Sequence, residues 1–167
     1  NVLSHLENNI YEKISEKIMN RYVNFSLFGS IEDSFIIGTS AGLFILHNNV
    51  VSRLHIGATY GLTRSNNNWY AFQAIGRYGR LISFRLDKNN TGYTCEDVNY
   101  IRIGLSGGIH QIDYYDGILY VTDTYNNRII LMDGKKSKYF YPNGRLRSGR
   151  LSENYNHFNS IFFSGDT

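Results

Sequence analysis

The sequence predicts an all-β fold, and three observations carry that prediction. From about residue 22 onward, short runs rich in Ile, Val, Phe and Tyr follow one another, each bounded by Gly, Asn or Asp. No second helical pattern comes between them, which argues against a βαβ arrangement. The runs also repeat. Ile56-Gly57 followed by Gly61-Leu62-Thr63 returns as Ile103-Gly104 followed by Gly108-Ile109-His110, at an offset of 47 residues. A strand-filled period of that size suits the four-stranded blade of a β-propeller, where about 40–50 residues is usual. The expected architecture is a β-propeller fragment of about three four-stranded blades, with an N-terminal α-helix.

The helix is expected over residues 1–22. Ser4 and Glu7 form a capping-box pattern. Leu6, Ile10, Ile14 and Ile18 then recur at helical spacing, with Glu12, Lys13, Glu16 and Lys17 on the other side. Such a helix covers a sheet edge or leads to an upstream domain. Its balanced charges argue against a place on a membrane surface.

Residues 23–167 are expected to form the partial propeller, with inner strands starting near 25, 62, 109 and 158. The weakest copy begins at Phe25-Ser26 and the last at Phe158-Asn159-Ser160-Ile161. Each unit reads as an inner strand, a hairpin, a strand such as Ile118-Leu119-Tyr120-Val121-Thr122, a turn, a strand over 128–132, and an outer strand such as Lys138-Tyr139-Phe140-Tyr141. One such sheet has two apolar faces and cannot bury both alone; stacking sheets side by side buries them.

Composition sets the bounds. The hydrophobic fraction of 42%, with 14 Tyr and 10 Phe, supports a packed core rather than a disordered chain. Cys95 is the sole cysteine, so neither an intrachain disulfide nor a Cys-based zinc site is available. No apolar run is long enough to cross a bilayer, and no signal peptide is visible, which favours the cytoplasm. The chain starts at Asn1 rather than Met, and the natural protein is expected to extend beyond one or both ends. The remaining blades would come from that longer chain or from another one. A net charge of +3 is too mild to imply nucleic acid or membrane by itself.

The stretch IHQIDYYDGILYVTDTYNNRIILMD, residues 109–133, resembles an NHL repeat in Asp116, Gly117, Leu119, Tyr120, Val121, Asp123, Thr124, Asn126, Asn127, Arg128 and Ile129. The runs Ile36-Ile37-Gly38-Thr39-Ser40 and Trp69-Tyr70-Ala71-Phe72-Gln73 occupy the equivalent strand without the Asp-Asn-Arg signature. The blade plan is also similar, more loosely, to six-bladed propellers of the gluconolactonase and strictosidine-synthase type. The resemblance implies about six blades, hence about 240–290 residues at the observed period. It further implies a scaffold that binds protein or RNA or, in the lactonase type, a ring of side chains around a divalent cation at the channel mouth.

The repeat alignment, with offsets of 37 to 49 residues, sets Ser26, Thr63, His110 and Asn159 at one position, each just after the first apolar residue of an inner strand. His157 lies two residues before Asn159 and so shares its face. Thr63, His110, His157 and Asn159 are therefore candidate ligand-binding residues at a common mouth. His110 and Asn159 are the candidate ligands for a divalent cation, although an imidazole in place of an oxygen donor argues against calcium. The plainer alternative is that these groups satisfy hydrogen bonds along a wet channel.

Asp123 and Arg128 flank a hairpin and are expected to pair across it or with a neighbouring blade, a structural role. Lys135, Lys136, Lys138, Arg145, Arg147 and Arg150 fall in one stretch, read as an exposed loop. Arg145, Arg147 and Arg150 are candidates for capturing a phosphate, a sulfate or RNA, with Tyr139 and Tyr141 available to stack on bases. The sequence carries no GxSxG, Gly-rich phosphate loop, HExxH or EF-hand pattern. The function expected is a propeller binding scaffold that offers loops and a polar channel mouth to a protein or a small polar or anionic ligand. The alternative is a metal-dependent hydrolase of the lactonase type, or a transferase-like propeller enzyme.

Overall fold

The computed structural model describes residues 25–31, 34–90, 92–142 and 160–163. The helix expected over 1–22 lies outside them. Twelve strands are described: β1 (Phe25–Ile31), β2 (Ser34–Thr39), β3 (Gly42–His47), β4 (Val50–Ile56), β5 (Thr59–Ser65), β6 (Asn68–Ile75), β7 (Tyr78–Asn89), β8 (Gly92–Ser106), β9 (Ile109–Tyr115), β10 (Ile118–Asp123), β11 (Arg128–Asp133) and β12 (Lys136–Phe140). They form three four-stranded antiparallel sheets, in the orders β1-β2-β3-β4, β5-β6-β7-β8 and β9-β10-β11-β12. Each sheet is a meander of consecutive strands, and the whole is an all-β stack of propeller-like blades.

Local chemistry explains the hairpins. Asn48 and Asn49 take positive φ at the β3–β4 turn, and Asp116 and Gly117 do so at the β9–β10 turn. Residues that tolerate left-handed angles make the tight turns whose twist matches the flanking strands. Alternation then sorts the side chains. In β10, Leu119 and Val121 are buried toward the second sheet while Tyr120 points the other way and stays half-exposed.

Two apolar clusters join the sheets. Between the first and second sheets lie Ile36, Leu43, Ile45, Leu62, Trp69, Ala71, Ile82, Phe84 and Tyr93. Between the second and third lie Phe72, Leu81, Leu105, Ile109, Ile112, Leu119, Val121, Ile130 and Met132. Burial of each large side chain contributes about 1.5–3 kcal/mol, so the stacking of sheets, rather than any single sheet, stabilises the chain. The inner strands adjoin closely. A Cβ on Gly61 of β5 would lie 3.0 Å from the Ile112 backbone nitrogen of β9, so only glycine allows this approach without a shift.

The register corrects the sequence alignment. The second inner strand begins at Thr59, not near 62. Thr59 pairs with Gln73, and Ile109 pairs with Asp123, so the two sheets correspond at an offset of 50 residues rather than 47. Main-chain bonds outside the ladders repeat at the same offset: Ala74 N donates to Ala58 O at 2.8 Å, and Thr124 N to Gly108 O at 3.2 Å. The sequence match had aligned glycines with unlike roles. Gly57 (φ 111°) joins two sheets, whereas Gly104 (φ 72°) lies within β8.

One irregularity recurs in all three sheets. The pairing of each inner strand slips just after its first residue, between Phe25 and Leu27, between Thr59 and Gly61, and opposite Val121 and Asp123. The residues at the slip are Ser26, Tyr60 and His110. A β-bulge of this kind bends a strand and raises its twist.

Candidate functional site

All three sheets point the same way, so one end of the stack gathers corresponding parts. At this end, called the upper end, lie the inner-strand starts, the turns after β2, β6 and β10, and the links β4–β5 and β8–β9. A buried polar side chain stands at the corresponding place in each sheet: Thr39, Gln73 and Asp123, all 0% exposed. Each holds its turn by different means. The Thr39 hydroxyl accepts from Ala41 N and Gly42 N, both at 3.1 Å, and donates to Gly42 O at 3.0 Å. Gln73 donates through Nε2 to Ile56 O at 3.1 Å and accepts at Oε1 from Arg80 Nε at 3.0 Å.

Asp123 accepts from Asn126 Nδ2 on both oxygens at 2.9 Å, and on Oδ2 from Arg128 Nε at 2.8 Å. The expected pairing of Asp123 with Arg128 is thus made across the hairpin. Asn127, at φ 52°, closes the short 3-10 turn over Thr124–Asn126. Burial works against the Arg128 charge, but hydrogen bonds and attraction from Asp123 and Tyr141 outweigh it and hold its pKa above the ordinary value. The ring of Tyr139 lies under the same guanidinium, 4.4 Å from its carbon.

Several large apolar side chains are left exposed at or near the upper end: Ile56, Ile75, Tyr78, Ile103 and Tyr125. Monomeric proteins seldom leave clustered apolar groups wet without a use for them.

Of the candidate mouth residues, His110 is at the upper end and exposed. Thr63 is not level with it. Its place in the third sheet is taken by Asp113, since Thr63 pairs with Tyr70 and Asp113 with Tyr120. Three residues of strand separate that level from His110, about 10 Å. The Thr63 hydroxyl donates to Asp113 Oδ1 at 3.0 Å and accepts from Tyr114 N at 3.2 Å, bridging the second and third sheets. Asp113 is thus a partner of Thr63. His157, Asn159, Arg145, Arg147 and Arg150 lie outside the described residues. Among the described residues, no three His, Cys, Asp or Glu side chains gather as a metal-ligand set.

Residues 160–163 lie against the third sheet. Gln111 donates from Nε2 to Ile161 O at 3.2 Å and accepts at Oε1 from Ile161 N at 2.8 Å. Phe163 stacks on Tyr115 with ring centroids 4.7 Å apart and meets Tyr120 edge-on at 4.6 Å.

The fold and this upper end define the class: a propeller-like stack of three blades whose turns are pinned from beneath by buried polar groups. No family model matches the sequence. No curated protein matches it either. Among solved structures, a chain in the crystal structure of a nidogen/laminin complex is similar at 10% identity over 72% of this chain and 79% of that one, with a TM-score of 0.26. A likeness that low carries no argument about function.

Proposed function

We propose that the chain is a binding scaffold and that its upper end is the binding face. The observation that carries this reading is the exposure of Ile56, Ile75 and Tyr78 at strand ends and of Tyr125 on a turn at that end. The turns that bear Ile75, Tyr78 and Tyr125 are fixed by Gln73 and Asp123, so little loop entropy remains to be lost on binding. His110, exposed at the same end, is assigned as a ligand-contacting residue, with His157 and Asn159 as its proposed neighbours.

Within this class we read the third blade as NHL-type. The Asp116-Gly117 turn and the pair of buried Asp123 with Arg128 give structural roles to the residues on which that resemblance rests. In this reading the propeller has about six blades, the others coming from a longer chain or a second one.

A displayed random-peptide library, selected on the immobilised chain, tests the binding face. Enriched peptides should bind the Val50→Ser/Tyr115→Ser protein, altered at the opposite end, and fail on Ile75→Ser/Tyr78→Ser. Equal binding to both proteins would overturn the reading. Calorimetry with Ca²⁺ and Zn²⁺ on wild type and His110→Ala tests the cation role; heats that do not change with His110 would remove it.

A further inference from the structure

Between the outer strands of the second and third sheets, next to the upper end, runs a cleft of about 680 Å³. Its walls include Arg77, Arg102 and Arg128, and the rings of Tyr78, Tyr125 and Tyr139. No Asp or Glu lines it among the described residues. Among the described residues, the only carboxylate bonded to one of these arginines is Asp123, fully buried beneath Arg128. Among the described residues Arg77 has no side-chain hydrogen bond or ion pair, and Arg102 uses one nitrogen, Nη1, to donate to Ser137 Oγ at 3.0 Å. Two guanidinium groups therefore keep most of their donors.

We propose that this cleft binds a nucleotide, its phosphate held by Arg77 and Arg102 and its base laid against the tyrosine rings. It rests on the reading of the upper end as a binding face and names a ligand class for one side of it.

The chemistry favours this ligand over a simple anion or an acidic peptide. A guanidinium fork matches phosphate oxygens in pairs, and two forks without a competing acid suit a group carrying more than one negative charge. An inorganic anion leaves the rings wet. Tyr78, at 67% exposure, with Tyr125 and Tyr139, both at 46%, offers flat surface that gains when a planar base covers it. Stacking of a base on such a ring contributes about 1–3 kcal/mol. The size also fits, since small-ligand sites usually enclose about 300–1,000 Å³.

The walls are set in advance. A Cβ on Gly108 would lie 2.5 Å from Tyr125 ring atoms, so the absence of a side chain there lets that ring settle onto the backbone. Gly107 N donates to Arg77 O at 2.8 Å and fixes the turn that carries Arg77.

The test is a titration at low salt with 5′-AMP, with a ten-residue oligoadenylate and with inorganic phosphate. It is run on wild type, Arg77→Ala, Tyr125→Leu and, as a control on the distant hairpin, Arg85→Ala. Thermal melts confirm that each variant is folded. Binding of 5′-AMP weakened at least about tenfold by Arg77→Ala and by Tyr125→Leu, and unchanged by Arg85→Ala, supports a free nucleotide. The same pattern with the oligoadenylate alone supports a single strand. Absence of binding by both nucleotide probes overturns the proposal, as does phosphate matching 5′-AMP, or Arg85→Ala losing as much as Arg77→Ala. The peptide selection described above is read separately, so a failed titration leaves the binding face standing if the selection succeeds.

Discussion

The two interfaces between sheets are built alike on the inside and differently at the rim. Both bury a layer of Ile, Leu and aromatic side chains from adjoining sheets. At the first, the β7–β8 hairpin runs on past the rest of its sheet and folds its end over the cluster. Tyr93 is buried there, and Leu54, Leu86, Cys95 and Val98 pack around it. Tyr93 also meets the His47 ring edge-on, with centroids 5.2 Å apart. At the second, β11 and β12 are six and five residues long and supply no such overhang. Among the described residues only the bond from Arg102 to Ser137 crosses the rim, and cavities of about 690 and 680 Å³ include Arg102 in their walls. Stacking thus draws on side chains from inner, middle and outer strands alike. The length of the outer hairpin decides whether a rim is closed or left open as a cleft.

The comparison is broken most severely at the closed side. Phe84, 1% exposed, fills the first cluster. Phe84→Ala should cost about 3–5 kcal/mol, the usual loss for a buried aromatic. Trp69, the single tryptophan, belongs to the same cluster, so urea unfolding followed by its fluorescence reads the loss. A cost below about 1 kcal/mol would show that this cluster does not hold the two sheets together.

At the open side the corresponding weight falls on a charge pair. Asp123→Ala leaves the partly buried Arg128 without its partner and should cost about 3 kcal/mol in the same assay. Asp123→Asn retains an acceptor and is expected to lose less. If both substitutions proved harmless, the buried pair would not be what fixes the upper turn of the third sheet.

Thr63→Val removes a bridge between the second and third sheets while keeping the shape. It should cost about 1 kcal/mol, the net value of one hydrogen bond. The loss should shrink when Asp113 is already replaced by Ala, leaving the bond that the hydroxyl accepts from Tyr114 N, and a double-mutant cycle measures the difference.

Cys95 reports on the closed rim through pH. Burial, and then the charge of Glu96, push its thiol up from 9.0 to about 12. The folded chain therefore keeps a proton there that the unfolded chain releases. The associated stability is fully present below 9.0 and is lost as pH rises toward about 12. Iodoacetamide at pH 8 should alkylate the folded chain far more slowly than the chain in urea. Equal rates would mean that the hairpin does not cover the thiol.

The smallest effect is expected on the outer surface of the same hairpin. Arg85 and Asp97 form an ion pair with both side chains more than half exposed. Arg85→Ala should change stability by less than about 0.5 kcal/mol, and less still in high salt.

The sequence alone determined the class of fold. Period-two apolar runs, turn residues at Asn48-Asn49 and Asp116-Gly117, and a repeat of blade size are local signals, and strands and hairpins form from local causes. The pair of Asp123 with Arg128 was legible for the same reason, because a four-residue turn brings the two together. Tertiary structure alone decided which residues correspond between sheets. Glycines suggested an offset of 47 residues, but pairing and bulges set it at 50 and grouped Ser26 and His110 with Tyr60 instead of Thr63. A glycine looks the same in sequence whether it links two sheets or lies within a strand, and only the ladder tells the two apart. The contact of Thr63 with Asp113 and the arginine–tyrosine cleft have no sequence signal either. Both lie between sheets, where the partners are brought together by packing rather than by spacing along the chain.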